Sequence, residues 1–230
     1  MHYLDYFRAK LPPVRKFFFL TIISALLAFT TQAGDRIGIA PEIGLNFCNL
    51  SFSNAPGVTS YFKTGLKAGI NFDKLISKEF SIQAGVFFTQ LGAKMDATVV
   101  FVGPVTVPIT INYAQVPITA VYKMDLKKGN LLFSAGPYVG YGLSISGTPG
   151  DPAFKPSNFK IGTDTASFIK PLDIGVNIAA AYQLHNGLSA KLGYAMGLTN
   201  IATGSGQTIR NSVWSISIAW FYRSAKDKKK

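Results

Sequence analysis

Residues suited to catalysis are few in this chain, and they are not grouped. Beyond residue 33 there is one histidine, His185, and it lies in a short polar turn. A serine nucleophile generally relies on a neighbouring histidine, and none is near Ser144, Ser146 or Asp151 in the sequence. The single cysteine, Cys48, excludes a disulfide framework and a cysteine-based zinc site. The sequence therefore predicts no enzyme activity, no metal site and no cofactor.

Four charged residues stand out because each interrupts a nearly uncharged segment. They are Glu42, Lys67, Asp173 and Lys191. Each lies at an alternate position shared with Gly, Ala, Ser or Asn, and Lys123 lies on the same side near one end of its segment. If that side lines an interior, two acids and two bases should pair, because an unpaired buried charge is costly. We expect a structural salt-bridge cluster, and a polar relay or gate is the alternative.

Composition narrows the class of protein that could hold such a cluster. Of the 230 residues, 48% are hydrophobic and 15% are charged, against about a quarter charged in ordinary globular domains. This excludes a disordered chain and argues against an ordinary soluble domain. The net charge of +12 is concentrated at the two ends, since residues 34–222 contain only 14 basic and 9 acidic side chains. No basic face typical of nucleic-acid binding is expected.

The first 33 residues have the features of an export signal. Arg15 and Lys16 precede an apolar run over residues 17–29, which is too short for a membrane-spanning helix. Small residues follow at Thr31 and Ala33, at positions −3 and −1 of a cleavage site. A basic segment, a short apolar run and small residues, in this order, predict a secretory signal peptide over residues 1–33. An uncleaved amphipathic anchor is the alternative.

The rest of the chain alternates between large apolar and small residues with a period of two. Trp214, Ile216 and Ile218, for example, alternate with Ser215 and Ser217. This period indicates β-strands, and strands of about 9–13 residues can cross a bilayer when tilted. The eight predicted strands lie at residues 37–47, 66–72, 80–88, 114–122, 131–145, 172–184, 188–198 and 212–222.

The predicted connections are sorted by length. Short polar turns at residues 73–79, 125–129 and 185–187 alternate with longer segments. Outer-membrane barrels have short turns at one end and long loops at the other, so both chain ends would lie on the short-turn side. The predicted long loops are residues 48–62, 93–111, 146–170 and 199–209.

A soluble barrel and a membrane barrel differ in which face of the strands points inward. A lipocalin-like soluble barrel would bury the large apolar set, but the remaining Gly, Ala, Ser, Asn and Gln would make a poor solvated surface. The same small residues suit the narrow lumen of an eight-stranded barrel. Large aromatic residues near strand ends are typical of interfacial girdles. They are Phe72, Phe80, Tyr122, Tyr141, Tyr182, Trp214, Trp220 and Tyr222.

The prediction is therefore an all-β fold, an eight-stranded antiparallel transmembrane β-barrel with up-and-down topology. It would occupy residues 34–222, after the signal peptide and before a basic tail at residues 223–230. The expected location is the bacterial outer membrane, and the expected partners are outer-membrane lipid, the barrel-insertion machinery and other envelope proteins, with no nucleic acid.

Several motifs resemble those of the PorT-like outer-membrane β-barrel family. Residues 113–118, Tyr-Ala-Gln-Val-Pro-Ile, resemble its Tyr-x-Glu/Gln-Ile-Pro-Leu strand, and residues 136–141 resemble its Gly-Pro-Tyr-x-Gly strand. Residues 173–175 resemble its Asp-x-Gly strand start, and residues 194–201 resemble its Tyr-x-x-Gly-Leu-Asn/Thr-Asn-Ile segment. Asn211 precedes a last aromatic-ended strand, as in the family. The resemblance implies a Gram-negative outer-membrane barrel, and the founding member is linked to protein secretion across the envelope.

The end of the chain departs from the usual pattern of such barrels. They generally end at an aromatic residue that the insertion machinery reads, whereas Tyr222 is followed by eight further residues rich in lysine. An internal insertion signal is one explanation. A disordered tail, or a periplasmic tail that binds anionic lipid or peptidoglycan-associated partners, is another.

The sequence is compatible with three functions. The first is a structural or interaction protein that anchors the four long loops outside the membrane. The second, implied by the resemblance, is a component of a secretion or envelope-assembly system. The third is a small pore, which the narrow lumen of eight strands disfavours.

Overall fold

Long antiparallel strands make up most of the structure, which is a computed structural model. It describes residues 37–53, 59–99, 103–147, 160–163, 167–204 and 206–223. The predicted signal peptide, residues 1–33, lies outside the described residues, as do residues 224–230 of the basic tail. The strands are β1 (Ile37–Ser53), β2 (Thr59–Tyr61), β3 (Lys63–Leu75), β4 (Phe80–Val99), β5 (Gly103–Leu126), β6 (Gly129–Gly147), β7 (Leu172–Leu184), β8 (Leu188–Gly197), β9 (Thr208–Trp220) and β10 (Tyr222–Arg223).

The strands form a closed ring. Among the described residues, β3 to β9 pair each with the next, β1 pairs with β3, and β1 also pairs with β9 from Glu42↔Ala219 to Ser53↔Thr208. Only Phe62 separates β2 from β3, and only Phe221 separates β9 from β10. The ten segments therefore form eight strand positions around the ring. The predicted eight-stranded antiparallel barrel is confirmed.

The large apolar residues of the alternating pattern point outward. Ile43 and Ile218 are 65% and 56% exposed, whereas Glu42 and Ser217, on the other face of the same strands, are buried. The exposed set is too apolar to face water, and it suits lipid. The lipocalin-like arrangement, with this set in the core, is excluded.

Among the described residues, no helix has the length and the apolar character needed to span a bilayer.

Two of the predicted long loops are largely strand. The predicted loop 93–111 lies mostly within β4 and β5, and β1 continues through Ser53 into the predicted loop 48–62. On β4 the outward side chains change from apolar to polar between Phe88 and Gln90. From Phe88 to the end of β4 the sheet continues for about 35 Å at about 3.3 Å per residue. The alternation of large apolar and small residues ends there because the outward face leaves lipid and meets water.

Above that boundary the inward face becomes an apolar core. Leu50, Leu91 and Ile111 pack there with Ile169 and Ile201. Ile169 and Ile201 belong to the predicted loops 146–170 and 199–209, yet both are fully buried, and the Lys170 amide donates to the Ile201 carbonyl. The described parts of these loops therefore fold over the barrel mouth instead of extending away from it.

A register shift between β5 and β6 changes one predicted face. Asn112 pairs with Ser144 and Tyr113 with Gly142, so Leu143 is the extra residue of a bulge. Beyond it Ser144 is exposed and Ile145 packs against the apolar core. The alternation predicts that Ser144 points inward and Ile145 outward. This prediction is wrong because a pattern with a period of two gives no sign of an inserted residue.

The buried position of Ile201 predicts a matched pair of stability effects. We expect Ile201→Ala to lower the free energy of unfolding by about 2–5 kcal/mol, because it leaves a cavity between the loops and the strands. Urea unfolding of the refolded barrel in detergent micelles measures the loss. Ile216→Ala, at a lipid-facing position that is 55% exposed, is the control and should change the midpoint little. Equal losses in both variants would contradict a folded core over the mouth.

Candidate functional site in the barrel lumen

A buried carboxylate with four partners is the centre of the first polar network in the lumen. Lys67 Nζ and Ser217 Oγ each donate to Glu42 Oε1 at 2.8 Å. Lys191 Nζ donates to Oε2 at 2.9 Å and Asn71 Nδ2 to the same oxygen at 2.7 Å. The Glu42 side chain has no exposed surface. Both oxygens are therefore fully engaged by charged and neutral donors.

The network joins the two strands that close the ring. Glu42 lies on β1 and Ser217 on β9, and these strands pair directly. Lys67 on β3 and Lys191 on β8 approach from the strands on either side of that pair. One carboxylate thus links four strands across the point where the first and last strands meet.

An aromatic ring lies beside the first lysine. Lys67 Nζ is 4.5 Å from the centroid of the Phe87 ring, within the range of a cation–π contact. Phe87 is buried in the lumen because glycines make room for it. A Cβ on Gly69 or on Gly85 would lie 2.5 Å from a Phe87 ring atom. The sequence pattern does not predict Phe87 in the lumen, because mainly small residues are expected on the inward face.

A second buried carboxylate has only neutral partners. Tyr138 OH donates to Asp173 Oδ2 at 3.1 Å, Asn211 Nδ2 donates to the same oxygen at 2.8 Å, and Thr199 Oγ1 donates to Oδ1 at 3.1 Å. Asp173 is 1% exposed and forms no ion pair with a lysine of the described residues. The expected pairing of two acids with two bases thus becomes one acid with two bases at Glu42 and a separate network at Asp173.

Four of the motifs described in the sequence analysis meet at this second network. Tyr138, Asp173, Thr199 and Asn211 come from four separate motifs, and three of them donate to the fourth. Tyr113, from a further motif, is buried close by, since a Cβ on Gly140 would lie 3.4 Å from its ring. The order of the motifs was the signal for this site, but only the register of the strands shows that they converge.

The Asp173 network also fixes the segment between β8 and β9. Thr199 Oγ1 accepts a hydrogen bond from the Ile174 amide at 2.9 Å while it donates to Asp173. Asn200 Oδ1 accepts from the amides of Ala202 and Ile209. These bonds hold Ile201 in the apolar core over the lumen.

Lys123 lies near the short-turn end, as its position in the sequence indicates. It is half-buried and pairs with Asp125, its Nζ 3.0 Å from Oδ1. Farther up the same end of the lumen, Ser81 Oγ donates to Asp73 Oδ1 at 2.6 Å. The short-turn end of the lumen therefore has polar pairs in addition to the Glu42 network.

The outward aromatic residues form two groups. Phe80 and Tyr122 are cross-strand partners with ring centroids 5.0 Å apart. Trp214, at the other end, lies 4.9 Å from the Tyr194 ring. Phe88 lies eight positions after Phe80 on β4, which is about 20 Å along the barrel axis at a strand tilt of about 40°. Near the short turns lie Phe72, Phe80, Tyr122, Tyr182, Trp220 and Tyr222, and near the other boundary lie Tyr141 and Trp214.

Comparison with known families decides where such a barrel resides. Residues 30–203 match the model of the outer membrane protein beta-barrel domain. The chain belongs to this family. It is therefore a protein of the bacterial outer membrane, and the apolar band between its aromatic groups faces lipid. Comparison with curated proteins gives no match.

Solved outer-membrane barrels are similar to this family member in fold, at very low sequence identity. OprG from Pseudomonas aeruginosa is 10% identical, with a TM-score of 0.48 and coverage of 82% of this chain and 95% of that one. Ail from Yersinia pestis is 9% identical, with a TM-score of 0.42 and coverage of 80% and 98%. The outer membrane enzyme PagL is 11% identical, with a TM-score of 0.43 and coverage of 80% and 98%.

The Glu42 network predicts a large effect when both bases are removed. We expect the double variant Lys67→Met, Lys191→Met to lower the free energy of unfolding by about 3 kcal/mol or more, because Glu42 then lacks a charged partner. The temperature at which heat-modifiable gel mobility is lost measures the change. Lys123→Met is the control, since its pair is exposed at Asp125. A double variant as heat-resistant as the parent would contradict a structural role for the network.

Proposed function

We propose that this outer-membrane barrel is a non-enzymatic structural or interaction protein that presents a folded surface outside the cell. The observation that carries the proposal is the extension of β1, β4, β5 and β6 beyond the lipid-facing band. There the outward face is polar and the inward face has an apolar core of its own. A barrel that only crossed the membrane would need neither.

The presented surface is ordered by its own side-chain bonds. Thr106 Oγ1 donates to Asp96 Oδ1 at 2.6 Å between β4 and β5, and Asn112 Nδ2 donates to Ser144 Oγ at 2.8 Å between β5 and β6. Lys94 is exposed on the same face. A rigid sheet with a polar outer face can contact another envelope or surface molecule without first becoming ordered, which lowers the entropic cost of binding.

The described lumen favours an anchor over a pore. At one end the apolar core with Ile169 and Ile201 covers it. At the other end Phe221 lines both a small interior cavity of 20 Å³ and the open cleft at the short turns. The cavity between the two ends is only 70 Å³. Transport through this lumen would require the apolar core over its mouth to move.

The positions of the potential catalytic residues support the non-enzymatic assignment. His185 lies in the turn between β7 and β8, at the short-turn end. Ser144 and Ser146 are exposed near the opposite end of the barrel. A serine–histidine pair cannot form across the length of the barrel, because such a pair needs hydrogen-bond distance.

Labelling of single cysteines on intact cells tests the proposed orientation. Thr106→Cys should react with a membrane-impermeant maleimide, because Thr106 is exposed on the extended sheet. Lys127→Cys, in the short turn between β5 and β6, is the matched control and should react only after the outer membrane is permeabilised. Native Cys48 is 1% exposed and should remain unlabelled. The reverse pattern would place the extended sheet in the periplasm and contradict the proposal.

A role in a secretion or envelope-assembly system is the second candidate. It is supported by the resemblance to PorT-like barrels and by the convergence of their shared motifs on Asp173 and its donors. We expect an in-frame deletion strain to lose secreted proteins that return when the gene is supplied in trans. A secretome equal to that of the parent strain would leave only the surface-presenting role.

A further inference from the structure

The cavity in the middle of the lumen has an unusual charge distribution. Its volume is 70 Å³, and its lining includes Lys67 and Lys191. Among the described residues that line it, there is no carboxylate. Two ammonium groups therefore border an interior space whose described lining residues carry no negative charge.

The nearby carboxylates do not balance this charge. Glu42 carries one negative charge against two lysines, and its four hydrogen bonds engage both of its oxygens. Asp173 does not line the cavity, and it accepts hydrogen bonds from neutral groups. The Glu42 network alone thus leaves one positive charge in excess, and an excess charge away from water is costly.

Neutral donors border the same space. The side chains of Gln83, Gln115 and Asn177 line the cavity, and none of the three has a side-chain hydrogen bond to another described residue. Each amide offers two N–H donors. Lys191 has three N–H donors and uses one on Glu42. Polar groups that face an interior cavity need a partner inside it, since burial without a hydrogen bond is unfavourable.

We propose that this cavity binds a small monovalent anion of halide size, held by Lys67, Lys191 and the amide N–H groups. The ion restores the charge balance of the Glu42 network. A space of 70 Å³ holds such an ion with a few water molecules, since one water needs about 10–15 Å³ on this measure. A polyvalent or organic anion would lose more hydration than the single excess charge can replace.

The cavity lies between the apolar core with Ile201 above it and Phe221, which lines the lumen below it. The test starts from unfolded protein, with the halide present throughout refolding, so that the ion is available before the barrel forms.

Anomalous scattering locates the ion directly. The full barrel is refolded and crystallised in sodium bromide, and we expect an anomalous bromide peak inside the cavity within hydrogen-bond distance of Lys191 Nζ. Lys191→Met should lose this peak, and it keeps Glu42 paired one to one with Lys67. Lys123→Met, outside the cavity, should retain the peak. Bromide found only at the protein surface in the parent would overturn the proposal.

A solution measurement covers the case in which Lys191→Met does not refold. The urea midpoint of the parent should be higher after refolding in sodium chloride than in sodium gluconate of equal ionic strength, because gluconate is too large for the cavity. Gln115→Leu keeps both lysines and removes one amide, so it should reduce the difference. Equal midpoints in the two salts for the parent would contradict an anion site.

Discussion

Closure of the ring between β1 and β9 is the constraint on which the rest of the structure depends. Lipid offers no hydrogen-bond partners, so every backbone N–H and C=O inside the bilayer must pair within the chain. With eight strand positions, closure leaves a narrow lumen that is filled mostly by small and polar side chains, with room for Phe87 beside Gly69 and Gly85. Glu42 bonds to Ser217 across this junction and draws in one lysine from each side. The buried charges therefore lie where the first and last strands meet.

The same strands contact two different environments along their length, first lipid and then water. Within the bilayer, β4 and β5 present Phe88 and Ile118 outward and polar groups inward. Beyond it they present Lys94 and Thr106 outward, while Leu91 and Ile111 form a core. The pairing of β4 with β5 continues across this inversion, while β5 and β6 shift register at the same level. Beyond the membrane the strands therefore form one side of an apolar core. The loops around Ile169 and Ile201 form the other side of that core.

Much of the barrel follows from local pattern. The period of two, the Gly- and Ser-rich second face and the sorted turns predict eight antiparallel strands and their orientation, and these predictions are confirmed. The length of β4 and β5 could not be predicted, because alternation weakens where water replaces lipid on the outward face. The bulge at Leu143 left no trace in the pattern, so Ser144 and Ile145 were placed on the wrong faces. Phe87 was missed because a large aromatic residue is not expected inside, and its space comes from its cross-strand partner Gly69 and from Gly85, two residues earlier on β4.

Apart from Ser144, Ile145 and Phe87, the sequence by itself determined which strand residues face lipid and which face the lumen, because the side-chain period of a strand is local. It also determined that Glu42, Lys67, Asp173 and Lys191 share the inward face. Only the tertiary structure decided which of them meet, because partners depend on the register between strands far apart in the chain. That register places both lysines on Glu42 and gives Asp173 three neutral donors instead. It also decided that the long loops near Ile169 and Ile201 turn inward, since an apolar core has to be covered by whatever chain is within reach.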